Sequence, residues 1–396
     1  MNTNIGRYGA LALLLGTSGL GLAQSLVAIG GGLEPDNEPI YREIIDLAGA
    51  DPLVCVYGVA SADPEESAAS YERDFVGYGA SAVVVDITVD NAAESTSSDE
   101  VVATIEGCNA HFFVGGDQRR ITEALLSDDG SDTLAMAALR RGYLEGNVVA
   151  GTSAGAAALS AVMISGGSSL DTLLGEGEVV ELQAGLGFVG NVILDQHFIE
   201  RGRFGRLVGA LATAELPLGA GVGENTALVI PADGLWYVVG EGHVGLIEAT
   251  ATTTDSEIGG TTISLLSNGD RFDPASGTIS ILPQRENTQD VGLYYGEGDI
   301  FAVDIFGPDV LADVLTQLVD SPEMQASGLG FRGGGELPFS SDGVRVVFDK
   351  TDDTAGYWGR VDSGANYSVV RVRMGLEPIT VSTTFQEDET DDQTSV

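Results

Sequence analysis

The stretch Val148-Val149-Ala150-Gly151-Thr152-Ser153-Ala154-Gly155-Ala156-Ala157-Ala158-Leu159 constrains this chain more than any other. A short β-branched run ends at Ala150, a Gly-x-Ser-x-Gly turn follows, and an Ala-rich run predicts a helix reaching Ile164. A strand that turns sharply into a helix exposes a serine Oγ above the end of a sheet. Gly151 and Gly155 carry no Cβ, so strand and helix can approach closely. The N–H groups that open the helix can face a negative charge developing beside the hydroxyl. The same residues also suit an ordinary Gly/Ser loop ahead of a helix, so the rest of the chain has to decide.

Before that turn, strands and helices alternate. Residues 25–29, 54–59, 82–87 and 110–114 read as strands; 38–48, 64–77, 99–106, 119–126 and 133–145 read as helices. Such alternation predicts an α/β fold, a mainly parallel sheet with helices on both faces. Sites in such sheets lie beyond the carboxyl ends of the strands. Three Gly-rich ends converge there: Gly30–Gly32, Gly115-Gly116-Asp117-Gln118 and Gly151–Gly155. The first lacks a following Gly-Lys-Ser/Thr, so close backbone approach to a site explains it better than phosphate binding.

After the serine, residues 165–178 read as a flexible acidic connection, a candidate rim or lid. An apolar strand over 186–194 then delivers Asp195-Gln196-His197, and Arg201, Arg203 and Arg206 follow at once. Residues 221–230 read as one more strand with Glu224 embedded in it. The expected division is a leader over 1–23, a catalytic α/β domain over 24–249, a β-rich C-terminal region over 250–385 and a disordered acidic tail over 386–396.

Charge narrows the function. The chain has 59 Asp+Glu against 18 Lys+Arg, a formal net charge of -41, and Lys350 is the one lysine. Such a surface repels nucleic acid. No apolar run is long enough for a convincing membrane span. The N-terminus instead reads as a secretory signal, with Arg7, an apolar core from Ala10 to Leu15, and Gly21-Leu22-Ala23 as a small-x-small cleavage site. Cys55 and Cys108 neither argue for a disulfide framework nor exclude one bridge.

A serine nucleophile needs a base within hydrogen-bond reach and a third group to orient that base. Of the three histidines, His111 opens an apolar strand and reads as a core residue, and His243 lies in a Gly-rich hairpin. His197 follows a strand among polar neighbours and is the best base, expected to meet Ser153 over a shared sheet edge. The arginine cluster is a positive island in an acidic chain; guanidinium groups grip carboxylates through paired hydrogen bonds, although these three could equally pair with the protein's own acids.

Taken together, Gly115-Gly116-Asp117-Gln118, Gly151-Thr152-Ser153-Ala154-Gly155-Ala156-Ala157, Asp195-Gln196-His197-Phe198, the three arginines and Gly223-Glu224-Asn225-Thr226-Ala227 closely resemble the cyanophycinase family, relatives of the aspartyl dipeptidases. The resemblance covers roughly residues 25–245; the leader and C-terminal extension resemble the extracellular branch. It implies hydrolysis of the poly-aspartate backbone of cyanophycin, or of shorter β-aspartyl peptides, with release of β-aspartyl-arginine dipeptides. It implies Ser153 as nucleophile, His197 as base, and the Ala154 N–H with the Gly115–Gly116 turn as oxyanion hole. It also implies that Gln118, Asp195, Gln196, Arg201, Arg203, Arg206 and Glu224 hold substrate. The family places the triad acid between serine and histidine, where Asp171 is the closest match and Glu176 or Glu178 are alternatives. It implies no metal or cofactor, and a homodimer.

Two other readings compete: an α/β-hydrolase esterase, which shares Gly-x-Ser-x-Gly and the chain order serine, acid, histidine, and an exported, non-catalytic binding protein on a peptidase scaffold. The arginine cluster and Gly-Gly-Asp-Gln have no role in ester hydrolysis. The charge itself generates a first prediction. If counterions screen the self-repulsion of a salt-adapted protein, the thermal unfolding midpoint rises strongly with molar salt; a midpoint indifferent to salt contradicts that adaptation.

Overall fold

The structure, a computed structural model, describes residues 24–249, 260–333, 339–361 and 366–382. The expected leader over 1–23 and the acidic tail lie outside the described residues. Strands β1 (Ser25–Ile29), β2 (Leu53–Tyr57), β3 (Ser81–Val85), β4 (Ala110–Phe113) and β5 (Val148–Thr152) run parallel in the order β1-β5-β4-β2-β3. Alternate side chains leave opposite faces of a strand, and both faces here are apolar. Val27, Ile29, Val56, Phe112 and Ala150 pack on one side against helices Glu38–Ala48 and Pro64–Gly77. Leu26, Cys55, Tyr57, Phe113 and Val149 pack on the other against helices Asp99–Gly107, Gln118–Leu125 and Leu134–Glu145. The expected α/β class, a mainly parallel sheet with helices on both faces, is the observed one.

Three local expectations change. The helix after the serine spans Ala154–Ala158 and does not reach Ile164. The chain enters β6 (Val162–Gly166), where β-branched Val162 and Ile164 pair antiparallel with β7 (Glu181–Ala184). The connection between those strands holds a short helix, Ser169–Leu174, with Ser168 capping it through the Asp171 N–H. The strand foreseen over 221–230 is two strands in two sheets. β8 (Ile193–Gln196) lies parallel to β9 (Leu218–Val222), in register Gln196 to Val222. β10 (Thr226–Pro231) instead joins the first sheet, antiparallel to β1. Residues 223–225 therefore carry the chain from one sheet to the other.

The division placed at residue 249 is not a boundary between sheets. After β11 (Trp236–Gly240), which pairs with β10, β12 (His243–Ala249) pairs with β9 on one side and with β13 (Thr261–Ser267) on the other. The C-terminal strands Tyr367–Ser382, Ser340–Asp349 and Gln325–Phe331 continue that second sheet. Strands Arg271–Asp273 and Thr278–Ser280 extend the first sheet beyond β11. The strand-rich C-terminal region thus grows out of both sheets. Its core is shared with the serine-bearing half: helix Phe204–Ala214 and helix Val310–Val319 bury Phe204, Leu207, Leu211, Leu315 and Leu318 with Ile193, Phe198 and Ile263. No helix among the described residues is long and apolar enough to cross a membrane.

Cys55 in β2 and Cys108 at the end of helix Asp99–Gly107 form a disulfide that closes a separation of 53 residues. A cross-link of that span limits the freedom of the unfolded chain, a contribution of about 2–4 kcal/mol. We expect Cys55→Ala/Cys108→Ala to lower unfolding free energy by about that amount in denaturant titration, while activity well below the midpoint is kept. Unchanged stability contradicts the bridge.

Candidate active site

Ser153 sits where β5 meets the short helix, and the turn is strained to place it. Its φ of 53° and ψ of −113° are unusual for a residue with a Cβ. Three features hold that conformation. The Ser153 N–H donates to the Ile29 carbonyl at 2.9 Å. A Cβ on Gly151 would lie 2.3 Å from the carbonyl carbon of Gly155, and one on Gly155 would lie 2.4 Å from the Phe113 oxygen. Helix, β5 and β4 are therefore in direct backbone contact, and the hydroxyl is forced outward.

His197 follows β8, also with a positive φ of 45°. The Ser153 Oγ and His197 Nε2 lie 2.8 Å apart, and His197 Nδ1 and Glu224 Oε1 lie 2.5 Å apart. An ionised carboxylate can only accept a hydrogen bond, so Nδ1 carries the proton that is donated to Glu224 and Nε2 is left to accept from the serine hydroxyl. Gln196 Oε1 is the hydroxyl's more distant partner, at 3.4 Å. Serine and histidine come from different sheets, not from one shared edge as the sequence suggested; the site lies on the seam between the sheets.

The Gly30–Gly32 turn is built around the imidazole. A Cβ on Gly31, whose φ is 105°, would lie 2.3 Å from His197 Cε1. The Gly30 carbonyl accepts the His197 N–H at 2.6 Å, and the Gly31 carbonyl accepts the Asn225 N–H at 2.8 Å. The expectation of close backbone approach at this turn matches what the ring requires.

The acid beside His197 is Glu224, not Asp171. Asp171 accepts from Arg332 Nη2 at 2.6 Å and from the Glu178 N–H at 3.0 Å, and the guanidinium holds its carboxyl below the usual range. Glu176 also faces Arg332, at 3.5 Å, and Glu178 is exposed. The loop between serine and histidine thus spends its acid on an arginine of the C-terminal region. Glu224 reaches the ring because β8 and β9 are parallel and in register, which sets the turn after β9 beside the residue after β8. Glu200, unnoticed in the sequence, supports it. Its Oε1 accepts the Glu224 N–H at 3.0 Å, and burial pushes its own carboxyl above the usual range.

The residues expected to hold substrate divide. Asp195 and Arg206 are buried and form a two-point ion pair with each other, with Arg206 Nη1 also donating to the Gly167 carbonyl at 3.2 Å. They fix the segment rather than offer charge to a ligand. Gln118 is buried, and its Nε2 donates to the Ile164 carbonyl at 2.6 Å. Arg203 donates to the Gln196 carbonyl at 2.7 Å, and burial draws its guanidinium down to about 10. Arg201 is exposed. Gly115 lies against the nucleophile; a Cβ there would be 3.6 Å from Ser153 Oγ. Gly116 turns away beneath it, its missing Cβ facing the Ala60 carbonyl. Ala154, buried, opens the helix.

Electrostatics favours a neutral imidazole. Burial lowers the His197 pKa below its ordinary 6.5, Glu224 opposes this, and Arg201 and Arg203 add to it. The other histidines are structural: His111 Nδ1 lies 2.9 Å from the Tyr57 hydroxyl, and burial takes His111 down to about 3 and His243 to about 4.

With this geometry in hand, the similarities to known proteins fall into place. The family model of peptidase family S51 matches residues 26–237, more than half of the chain. The chain is similar to the cyanophycinase of Nostoc sp., 35% identical over 246 residues that cover 59% of this chain and 79% of that one. It is similar to the cyanophycinase of Geminocystis herdmanii, 33% identical over 234 residues that cover 58% and 82%. Among solved structures, a peptidase from an acI-B1 Actinobacterium aligns with a TM-score of 0.46 and 20% identity over 64% of this chain and 98% of its own. The chain belongs to peptidase family S51 and is a serine-type peptidase.

Proposed function

We propose that this peptidase hydrolyses the poly-aspartate backbone of cyanophycin through a Ser153 acyl-enzyme and releases β-aspartyl-arginine dipeptides. The carrying observation is the relay Ser153–His197–Glu224, with links of 2.8 and 2.5 Å. As Ser153 Oγ attacks the carbonyl carbon, His197 Nε2 takes its proton. The imidazolium formed is stabilised by Glu224 through the Nδ1–H. In this reading the Ala154 N–H and the Gly115–Gly116 turn supply the hydrogen bonds to the oxygen that gains charge. Collapse of that intermediate breaks the C–N bond, and His197 returns the proton to the leaving amine. Water then attacks the ester by the same route in reverse and frees Ser153.

The substrate class follows from charge as well as from the relatives. Each repeat of this polymer offers an arginine carboxylate and a guanidinium. Exposed Arg201 suits the carboxylate, while half-buried Arg203, two residues further along the sequence, donates to the Gln196 carbonyl. The acidic surface suits the guanidinium. Action outside the cytoplasm is part of the same reading, supported by the signal-like N-terminus and the Cys55–Cys108 bridge, since disulfides persist in oxidising compartments. Assembly as a homodimer goes with it.

Incubation with insoluble cyanophycin and mass analysis of the soluble products tests the reading. Wild type is expected to release β-aspartyl-arginine, and Ser153→Ala to lose about 10⁶-fold in rate. Cleavage of p-nitrophenyl esters with no action on the polymer contradicts it in favour of an esterase.

The acid assignment and the titration are tested together. His197 must be neutral to act, so kcat/KM rises with pH along an acidic limb whose midpoint lies below 6.5. Glu224→Gln removes the group that raises the His197 pKa. Its limb therefore moves to still lower pH, and its rate falls roughly 10²–10⁴-fold. Asp171→Asn keeps near-normal kcat. A limb centred above 7, or the larger loss in Asp171→Asn, contradicts the assignment.

A further inference from the structure

An acidic protein has little reason to display aromatic surface, and this one displays part of it around a single cavity. Among the described residues ten large apolar side chains are exposed, and six of them, Val291, Tyr294, Phe301, Val303, Met324 and Trp358, fall between 291 and 358. Three of them, Val291, Tyr294 and Trp358, line one cavity, and apolar surface gathered in this way marks a binding face. The cavity has a volume of about 600 Å³ and shares no lining residue with the serine site. Tyr294, Tyr295, Trp358 and Tyr367 line it, and Asp320 closes it.

Asp320 organises the cavity. It is buried, 4% exposed, yet it belongs to the cavity lining. Its Oδ1 accepts the Tyr294 N–H at 2.9 Å, and its Oδ2 accepts the Tyr367 hydroxyl at 2.7 Å. Its backbone carbonyl accepts the Tyr295 N–H at 3.0 Å. Asp320 thus fixes three of the four aromatic residues, Tyr294 and Tyr367 through its carboxylate and Tyr295 through its backbone carbonyl, and each carboxylate oxygen keeps a lone pair for a further donor. Tyr294 and Tyr295 meet edge to face at 5.0 Å, so their rings present perpendicular walls. Tyr294 is 79% and Trp358 is 37% exposed. Lys350 is not part of the lining; its ammonium donates to the Ser321 carbonyl at 2.7 Å, within charge range of Asp320.

The surroundings set the sign of the ligand. Residues 286–299 contain Glu286, Asp290, Glu297 and Asp299, all exposed, and no lysine or arginine. Aromatic faces carry partial negative charge, and a planar delocalised cation stacks on them while donating hydrogen bonds from its edge. A ring-walled cavity over a carboxylate, on a negative surface, matches a guanidinium better than a carboxylate, a phosphate or a neutral aromatic.

We propose that this cavity is a guanidinium-binding exosite, which seizes an arginine side chain of the polymer and keeps the enzyme on an insoluble substrate while the serine site cuts elsewhere. The source of the guanidinium rests on the cyanophycin reading; the chemistry of the pocket does not. Anchoring by a second contact raises the local concentration of scissile bonds without altering the chemical step.

Two measurements test it. In the first, tryptophan fluorescence of full-length protein is titrated with N-acetyl-arginine amide and with its neutral isostere, N-acetyl-citrulline amide. Since Trp236 is buried, Trp358 reports the cavity. The arginine probe is expected to shift the signal saturably, and the citrulline probe at least tenfold more weakly; loss of that response in Tyr294→Ala confirms the place. Equal response to both probes, or none to arginine, overturns the proposal. In the second, retention on cyanophycin granules is measured by sedimentation in a Ser153→Ala background. Tyr294→Ala/Trp358→Ala is expected to cut retention at least tenfold, with Tyr294→Phe/Trp358→Tyr restoring most of it. With Ser153 present, the alanine pair is expected to turn over a short soluble β-aspartyl-arginine peptide at the normal rate. Unchanged retention, or binding to cellulose in place of the granules, overturns it. If arginine binds the cavity but the polymer is neither bound nor cut, the substrate reading fails and the pocket chemistry stands. If the polymer is cut but arginine leaves Trp358 unmoved, the exosite fails and the substrate reading stands.

Discussion

The hydrogen bond between Ser153 and His197 is also a bond between two sheets. The serine stands at the end of β5 in the first sheet, and the imidazole follows β8 in the second. Its 2.8 Å depends on how those sheets are docked, and the docking is done by backbone. Gly30 accepts the His197 N–H, Gly30 donates to the Thr226 carbonyl at 3.0 Å, and Gly31 accepts from Asn225. A single turn after β1 thus ties the histidine, the turn bearing Glu224 and the serine strand together. A side chain at Gly31 would occupy the imidazole's own space. Ser153, His197 and Asn225 all carry positive φ values at this seam, strain of the kind that persists where surrounding structure over-determines it.

Charge is divided between structure and function in the same few residues. Arg206 and Asp195 are sealed against each other, an arrangement in which removing one partner strands a buried charge at a cost of about 3–5 kcal/mol. That pair, with Ser169 donating to the Gly202 carbonyl at 2.6 Å, sets the course of the segment that presents Arg201 and Arg203. The C-terminal region takes part. Arg332 holds Asp171 on the rim helix, and the Asp309 N–H donates to the Ile199 carbonyl at 3.3 Å. A region that looks in sequence like an addition to a finished domain therefore braces the segment that carries Arg201 and Arg203.

The fold class, the serine turn, the choice of His197 and the closeness of the Gly30–Gly32 turn to the site were legible in sequence because each depends on local pattern: alternating apolar runs, a glycine-spaced turn, a polar triplet at a strand end. What was misjudged depends on pairing between distant segments. Glu224 follows the histidine by 27 residues and is brought to it by the parallel register of β8 and β9. Asp171 was expected from the family resemblance, which places the acid between serine and histidine, whereas the geometry of a triad leaves the order of its members free. The Gly-Glu-Asn turn after a strand was the available signal, and it was hidden by reading 221–230 as one strand. The pairing of Asp195 with Arg206, eleven residues apart, and of Asp171 with Arg332, 161 apart, has no sequence signature.

The central claim is that one hydroxyl at the seam becomes covalently acylated with the help of the imidazole across it. Rapid acid quench of enzyme mixed with a short β-aspartyl-arginine substrate, followed by intact-mass and peptide mapping, reads this directly. The account predicts a transient acyl adduct on the peptide containing Ser153, which fails to accumulate in His197→Ala. Turnover with no adduct at any time, or an adduct on a different residue, contradicts it.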